Sequence, residues 1–140
     1  MKCVCLLTKL AVSVYKRRDY PEVSYGVVHG FIEGLMGVSV DFDNNQISLK
    51  PNLTKATEWA QLENLMVLST LVSIKHEGTN SIAIENKGKV NIKVKFCFDD
   101  KYNQIIVDGN EVPTTNDLND RILYCIVDCE SGAKLHAVAN

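Results

Sequence analysis

The sequence lacks both a long apolar run and a charge excess of one sign. None of its 140 residues belongs to an uninterrupted stretch of 18 apolar residues, which is what a membrane-spanning helix requires. The formal net charge is −2, whereas nucleic-acid binding calls for a clustered basic excess. Lys9 interrupts the apolar N-terminus and no small-residue cleavage site follows, so no signal peptide is predicted. We therefore expect no membrane span, no nucleic-acid partner and, from this N-terminus, a cytoplasmic location.

Sequence motifs of common enzyme classes are also missing. There is no Gly-rich phosphate loop, no His-Glu-x-x-His and no Gly-x-Ser-x-Gly, which argues against nucleotide, zinc-protease and serine-hydrolase chemistry. Glycoside hydrolysis needs two carboxylates, but Asp41 and Asp43 border a turn that explains them, and Glu22 suits a helix entrance. We assign no catalytic residue, no metal ligand and no cofactor.

The cysteines are few and odd in number. Five thiols form a poor disulfide framework. Four of them could chemically bind zinc, yet Cys125 and Cys129 fall four residues apart in a predicted strand, which favours buried free cysteines. The five are Cys3, Cys5, Cys97, Cys125 and Cys129.

Two amphipathic helices are predicted before residue 38. An apolar stripe of period 3.6 runs from Leu6 to Val14, and the run Asp19-Tyr20-Pro21 ends that helix. A second helix is predicted from Ser24 to Met36, with Gly37 at its end. Its glycines line a face different from its apolar stripe, which is typical of a helix packed on both sides. We predict an interface on Val27, Val28, Gly30, Phe31, Gly34 and Leu35, through which the chain forms a homo-oligomer or binds a protein partner.

From Val38 the apolar period changes from 3.6 to 2. Residues 38–42 and 47–49 alternate around the turn at residues 43–45, which predicts a hairpin. Residues 54–63, which include Trp59, are predicted to be an irregular or one-turn helical crossing. Short strands then recur about every ten residues, which is typical of an antiparallel sandwich or barrel. We predict a mainly β protein, with an N-terminal helical segment over residues 1–37 and a β-sandwich over residues 38–140. The predicted runs are residues 71–76, 81–85, 90–98, 105–107, 111–114, 121–128 and 133–138.

Three kinds of side chain remain as candidates for ligand contact. His29 and Glu33 are i, i+4 neighbours whose ordinary interpretation is a surface pair, and His76 and His136 are predicted to be exposed on strands. Trp59 is predicted to be a core anchor, with an exposed sugar platform as the alternative. The weak candidates for carbohydrate contact are Glu22, His29 and Trp59.

Three segments, in order, resemble a known family. Residues 20–38 read YPEVSYGVVHGFIEGLMGV, residues 47–53 read ISLKPNL and residues 59–67 read WAQLENLMV. The match covers about residues 20–98. It resembles the C-terminal region of bacterial (α/α)6-toroid glycoside hydrolases of the α-L-rhamnosidase-like group, in which the last toroid helix leads into a β-sandwich that opens with a hairpin.

The resemblance implies a sandwich without the catalytic toroid. Twelve helices with their loops need roughly 200 residues or more, and this chain has two predicted helices. It would then be a truncated gene product or one part of a split enzyme, inactive alone, whose relatives are often periplasmic or secreted. The leading interpretation is a non-catalytic β-sandwich domain with a structural or interaction role in carbohydrate degradation. A carbohydrate-binding module and a small glycosidase are the alternatives.

Overall fold

A computed structural model describes residues 26–140 of the chain. The first predicted helix, Cys3, Cys5 and Glu22 lie outside these residues. Within them, no helix is long and apolar enough to cross a membrane.

The second predicted helix is present over residues 26–35. Its first turn is α-helical and its last six residues, Gly30–Leu35, form a π-helix. The wider winding is visible in the 2.9 Å bond from the Met36 amide to the Phe31 carbonyl, five residues back. Gly37 follows with φ +56°, and thus ends the helix as predicted.

Eleven strands follow the helix and form two sheets. The chain is therefore mainly β, as predicted. The strands are β1 (Val38–Asp41), β2 (Gln46–Leu49), β3 (Trp59–Val67), β4 (Thr70–Glu77), β5 (Ser81–Asn86), β6 (Ile92–Asp99), β7 (Ile105–Val107), β8 (Asn110–Glu111), β9 (Thr115–Asp117), β10 (Ile122–Cys129) and β11 (Lys134–Ala139).

The first sheet has the strand order β1-β2-β6-β10-β9, and the second has β3-β4-β5-β11-β7-β8. All pairs are antiparallel except β2–β6, which is parallel, so the predicted antiparallel pairing is confirmed at every pair but this one. The chain leaves β2 for the second sheet and returns as β6 only after three strands. A crossover of that length allows two strands to run in the same direction.

Strict alternation along the strands builds the core between the sheets. In β6 and its neighbour β10, residues on the inner face are buried while most outer positions are not. β4 and β5 show the same alternation, and their buried side chains pack against the first sheet from the second. The largest fully buried apolar side chains are Phe96, Phe98, Met36, Ile47, Leu49, Ile74, Ile82, Ile84, Ile92 and Ile105. Met36 ties the end of the helix to this core.

The irregular crossing predicted for residues 54–63 was wrong in its second half, because β3 begins at Trp59. A register shift between Leu62 and Leu65 interrupts its pairing with β4, and Asn64 there has φ +56°. Such a bulge puts extra residues into one strand, so the period-2 pattern is broken in the sequence.

The environments of six side chains can be compared with their predictions. Phe42 was predicted on an apolar stripe but is 78% exposed, because it is the first residue past β1 and enters the turn. His76 was predicted to be exposed but is fully buried, whereas His136 is exposed as predicted. Cys97, Cys125 and Cys129 are buried free thiols, which confirms the prediction for these three.

Candidate interaction surface

One side of the sandwich is open between two edge strands. β1 ends the first sheet and β3 ends the second, and a groove runs between them beside the helix. We call it the edge groove. Its lining is mostly apolar, with Glu33 as the charged residue at its rim: Ile32, Glu33, Val38, Ser39, Val40, Phe42, Leu65, Met66, Val67, Leu68 and Ser69.

Large apolar side chains stand exposed around the edge groove. Phe42 is 78% exposed and Met66 is 67% exposed, one from each edge strand or its turn. Val27 and Val28, on the first turn of the helix, are 49% and 43% exposed but do not line the groove. Single exposed apolar residues are ordinary, but several that border one groove are typical of a surface that another element covers.

The helix beside the groove is firmly fixed at its C-terminal end. Asn52, after β2, donates from its backbone amide to the Leu35 carbonyl at 3.1 Å and from its side chain to the Gly34 carbonyl at 2.8 Å. These bonds satisfy carbonyls that a helix end otherwise leaves unpaired. Close packing also favours glycine at position 37, two residues after Leu35. A Cβ on Gly37 would lie 1.9 Å from the Lys50 carbonyl oxygen.

A buried histidine completes this junction. The Nε2 of His76 lies 2.8 Å from the Met36 carbonyl oxygen. A carbonyl only accepts, so Nε2 carries the proton and Nδ1 is the acceptor nitrogen. Nδ1 has no hydrogen-bond partner among residues 26–140. Burial lowers the pKa of His76, and the bond to Met36 opposes this effect.

The predicted interface residues on the helix divide into two groups. Phe31 and Leu35 are half-buried against the core, so they hold the helix in place. Gly30 and Gly34 are exposed, and a Cβ on either would meet no described atom within 4 Å. The glycine face and the two valines are therefore the part of the predicted interface that is available for contact.

The weak candidates for carbohydrate contact do not form one visible site. Glu22 lies outside the described residues. His29 is exposed and lies 3.1 Å from Glu33, which confirms the predicted surface pair. Trp59 does not belong to the core, so its prediction as a core anchor was wrong. Ala60 beside it is fully buried, and alternation therefore places Trp59 on the outer face of the second sheet.

That outer face carries a shallow depression lined by Gln61, which lies two residues from Trp59 on the same strand. Its charged groups are mostly neutralised by neighbours: Lys75 bonds Glu77, and Lys134 lies 3.2 Å from Glu85. Lining residues include Gln61, Ser73, Lys75, Glu85, Asp108, Lys134 and His136.

Ser81 and His136 on this face resemble a nucleophile and its base only in part. The Ser81 hydroxyl lies 2.9 Å from His136 Nε2, as in an activated serine. Asp108, however, accepts its bond from the His136 backbone amide at 2.9 Å, so that bond does not orient the ring. The pair therefore lacks the third role that such catalysis uses.

The carboxylates and thiols with shifted pKa values are poorly suited to catalysis. Hydrogen bonds from the side chain and backbone of Asn44 lower the pKa of Asp41, and the bond from Lys75 lowers the pKa of Glu77. A general acid needs a raised pKa. Burial raises the pKa of the Cys97 and Cys125 thiols to about 11, which suppresses the nucleophilic thiolate. Among residues 26–140, no group of three or more His, Cys, Asp or Glu side chains could hold a metal ion.

Sequence reasoning found the helix but missed the groove. Met66 and Leu65 belong to the strand whose period the bulge breaks, and Phe42 was predicted to end the first strand, whereas it is the first residue of the turn. The nearest signal in the sequence is the run Leu65-Met66-Val67-Leu68, which is continuous rather than alternating.

The chain matches no protein-family model and no curated protein. Two solved structures share parts of its fold. One is a GH127 β-L-arabinofuranosidase from Geobacillus stearothermophilus T6, with TM-score 0.45, 8% identity and 78% of this chain covered. The other is a second GH127 β-arabinofuranosidase, with TM-score 0.41, 16% identity and 69% covered.

This chain spans less than a fifth of either enzyme, 17% and 18% of their lengths. Both neighbours are glycoside hydrolases, the broad class that the sequence resemblance implies, but both are arabinofuranosidases and neither is an α-L-rhamnosidase. Likeness at this level carries no argument about activity, so the function is argued from the residues of the chain itself.

Proposed function

We propose that this chain is a non-catalytic β-sandwich domain that packs against another protein surface through the edge groove and the adjoining helix. One observation carries the proposal: the apolar side chains of Phe42 and Met66 line a single groove between two edge strands and are largely exposed. A second surface that removes these apolar groups from water lowers the free energy of the system and so favours association. The context of carbohydrate degradation is supported by the sequence resemblance over residues 20–98.

The shape of the surface fits docking better than strand addition. β3 carries a bulge between Leu62 and Leu65, and β1 has only four residues. Bulges and short strands are the usual means by which edge strands avoid pairing with another sheet. Side-chain packing into the groove is therefore the mode of contact that we propose, with a second copy of the chain as the partner that can be tested directly.

Light scattering on the full chain over a range of concentrations tests the proposal. We expect the mean mass to rise with concentration for the native chain and to stay at the monomer value for Met66→Asp. Leu118→Asp is the matched control, because Leu118 is equally apolar, 80% exposed and lies beyond β9, at the opposite edge of the first sheet. A native chain that stays a strict monomer at high concentration would contradict the proposal. Aryl-glycosides should remain unhydrolysed.

Carbohydrate binding at the outer face of the second sheet is a second candidate function. The observation that favours it is the position of Trp59 outside the core, beside Gln61 on the same strand face. Sugar rings stack on exposed indoles. Because Trp59 is the sole tryptophan of the chain, tryptophan fluorescence reports on the surroundings of Trp59 alone. Titration with neutral oligosaccharides should shift the tryptophan fluorescence of the native chain, and the fluorescence of the Gln61→Ala variant should not shift. Unchanged emission would remove this candidate.

A further inference from the structure

We propose that His76 makes the edge groove sensitive to pH: when its ring gains a second proton, the end of the helix separates from the sandwich more often, and the groove loses the wall that the helix provides. This inference rests on the proposed function, because it assigns a means of regulation to the surface through which the chain packs against others. It is supported by the way His76 is held, by the groups around it and by the position of the helix.

The backbone of His76 is fixed on both sides. β4 is an inner strand of the second sheet, and His76 pairs with Ala60 on β3 and with Ile82 on β5. The fully buried ring donates from Nε2 to the Met36 carbonyl oxygen at 2.8 Å. Because the sheet holds the histidine in place, the end of the helix is the partner that can move away from it.

A second proton on the ring would lie on Nδ1. That nitrogen has no hydrogen-bond partner among residues 26–140, and a doubly protonated ring donates from both nitrogens. A buried donor without an acceptor is costly, and more so on a charged ring. Water can accept the bond only where the cover over the ring has opened, so protonation favours the open arrangement.

The charged groups nearest to His76 in the chain and on the helix do not face it. Lys75 and Glu77 flank it on β4, but alternation places them on the outer face, where they bond each other. On the helix, His29 and Glu33 are exposed and lie 3.1 Å from each other. None of these carboxylates is therefore available to stabilise a charge on the buried ring.

The other elements around this end offer no such group either. Cys125 and Cys129 belong to the core, but burial raises the pKa of both thiols, so they stay neutral. The remaining ionisable side chains of β1, β2, β3, β5, β6 and the connection after β2 are exposed or alternate with buried residues, which directs them outward: Asp41, Lys50, Lys55, Glu58, Glu63, Glu85, Lys93, Lys95, Cys97 and Asp99.

The end of the helix is also one wall of the edge groove. Ile32 and Glu33 are the helical residues in its lining, and Ile32 lies one helical turn before Met36. When the helix end separates from His76, this wall moves away from β1 and β3. A second copy that fits only the closed groove then binds with an affinity reduced by the fraction of closed chains.

Hydrogen exchange on the full chain at about pH 7.5 and about pH 5.5 tests the inference. Each rate is divided by the rate of an unstructured peptide at the same pH. The closed chain binds the second proton less readily than the open one, because burial lowers the pKa of His76 below 6.5. Opening at residues 31–36 should therefore increase at the lower pH, by up to about tenfold. These amides should exchange faster than those of β6 at both pH values.

A set of variants identifies the group responsible. His76→Gln keeps an N–H donor for the Met36 carbonyl but does not titrate, so it should lose the acceleration at low pH. His76→Met fills similar space without a titrating group and gives a second test if His76→Gln does not fold. His136→Gln, at an exposed position, should keep the native response. Equal acceleration in the native chain and a folded His76 variant would overturn the inference, as would amides of residues 31–36 that exchange only as slowly as those of β6.

The ring itself can be observed in the native chain. Nitrogen NMR at neutral pH should show a proton on Nε2 of His76 and none on Nδ1, because the Met36 carbonyl only accepts. The opposite tautomer would overturn the inference, since Nδ1 would then already carry a proton in the closed chain.

Light scattering at the same two pH values separates this inference from the proposed function. Association that weakens at low pH in the native chain, and not in His76→Gln, supports control of the groove by His76. Equal weakening in both would overturn that control and leave the groove as an interaction surface. A native chain that is strictly monomeric at both pH values would contradict the proposed function, while the exchange of residues 31–36 would still decide whether His76 controls the end of the helix.

Discussion

The two ends of the sandwich bury polar side chains in opposite ways. Asn86 and His76 are both fully buried, on the paired strands β5 and β4, and the register places them toward opposite ends of the second sheet. The side chain of Asn86 has partners for both its oxygen and its nitrogen. His76 has one bond, to Met36, and its other nitrogen is unpaired among the described residues.

The difference shows which end is held together by hydrogen bonds within the two sheets and their turns. The Asn86 end joins three turns by hydrogen bonds that all come from the sandwich, so it should form whenever the sheets form. At the His76 end, the end of the helix is held by the bond between His76 and Met36 and by two bonds from Asn52.

The largest effect is expected from Asn86→Leu. The substitution leaves buried backbone carbonyls and a hydroxyl without their partner, and each such group costs about 1–3 kcal/mol. We expect the free energy of unfolding in urea to fall by about 4 kcal/mol. The lost bonds involve the Thr70 hydroxyl at 2.7 Å, the Gly88 amide at 3.2 Å and the carbonyls of Val90 at 2.8 Å, Cys129 at 3.3 Å and Glu130 at 3.2 Å.

Asn103→Leu is the matched control, because Asn103 is exposed and surface changes usually stay within about 0.5 kcal/mol. If both variants lost equal stability, the Asn86 bonds would not be what holds that end together.

The next largest effect is expected from Gly37→Ala, at the other end. Gly37 and Gly132 both have positive φ, +56° and +76°, so alanine costs about 1–2 kcal/mol at either position. Only Gly37 adds a clash, since its Cβ would lie 1.9 Å from the Lys50 carbonyl oxygen while that of Gly132 meets no described atom within 4 Å. We expect the free energy of unfolding to fall by about 1–3 kcal/mol more in Gly37→Ala than in Gly132→Ala.

Hydrogen exchange distinguishes the location of this loss. In Gly37→Ala, the amides of residues 26–36 should exchange faster while those of β6 change in proportion to global stability. Equal stability losses in the two variants would show that the junction can shift to admit a methyl group.

The parts of the fold that the sequence predicts are those with a clean period. Residues 92–99 alternate without interruption, and β6 is where the alternation places it; Asp108-Gly109 likewise lies between β7 and β8. β3 could not be predicted because its bulge adds residues that break the period. The parallel pairing of β2 with β6 depends on how the chain returns from the second sheet, which no local pattern encodes.

The candidate surface could be predicted only on the helix. Val27 and Val28 follow from the helical stripe, whereas the same stripe gives no reason why Phe31 and Leu35 are half-buried and the valines exposed. That division depends on the anchor at Asn52, 17 residues beyond Leu35 in the chain. Burial of His76 is equally non-local, since its partner Met36 lies 40 residues away.

The smallest effect, and one confined to acid pH, is expected from His76. Burial lowers its pKa in the folded chain below the ordinary value of 6.5, so the unfolded chain binds the proton more readily. The free energy of unfolding should therefore be unaffected well above pH 6.5 and should fall as the pH drops through that value toward the folded pKa. One titrating group limits the slope to about 1.4 kcal/mol per pH unit.

Urea denaturation from about pH 7 to about pH 5 measures this slope. His76→Gln keeps an N–H group that can donate to the Met36 carbonyl but does not titrate, so its curve should be flatter than that of the native chain. His136→Gln, at an exposed strand position, should keep the native slope. If His76→Gln also kept the native slope, the acid sensitivity would belong to the carboxylates and not to the buried histidine at the end of the helix.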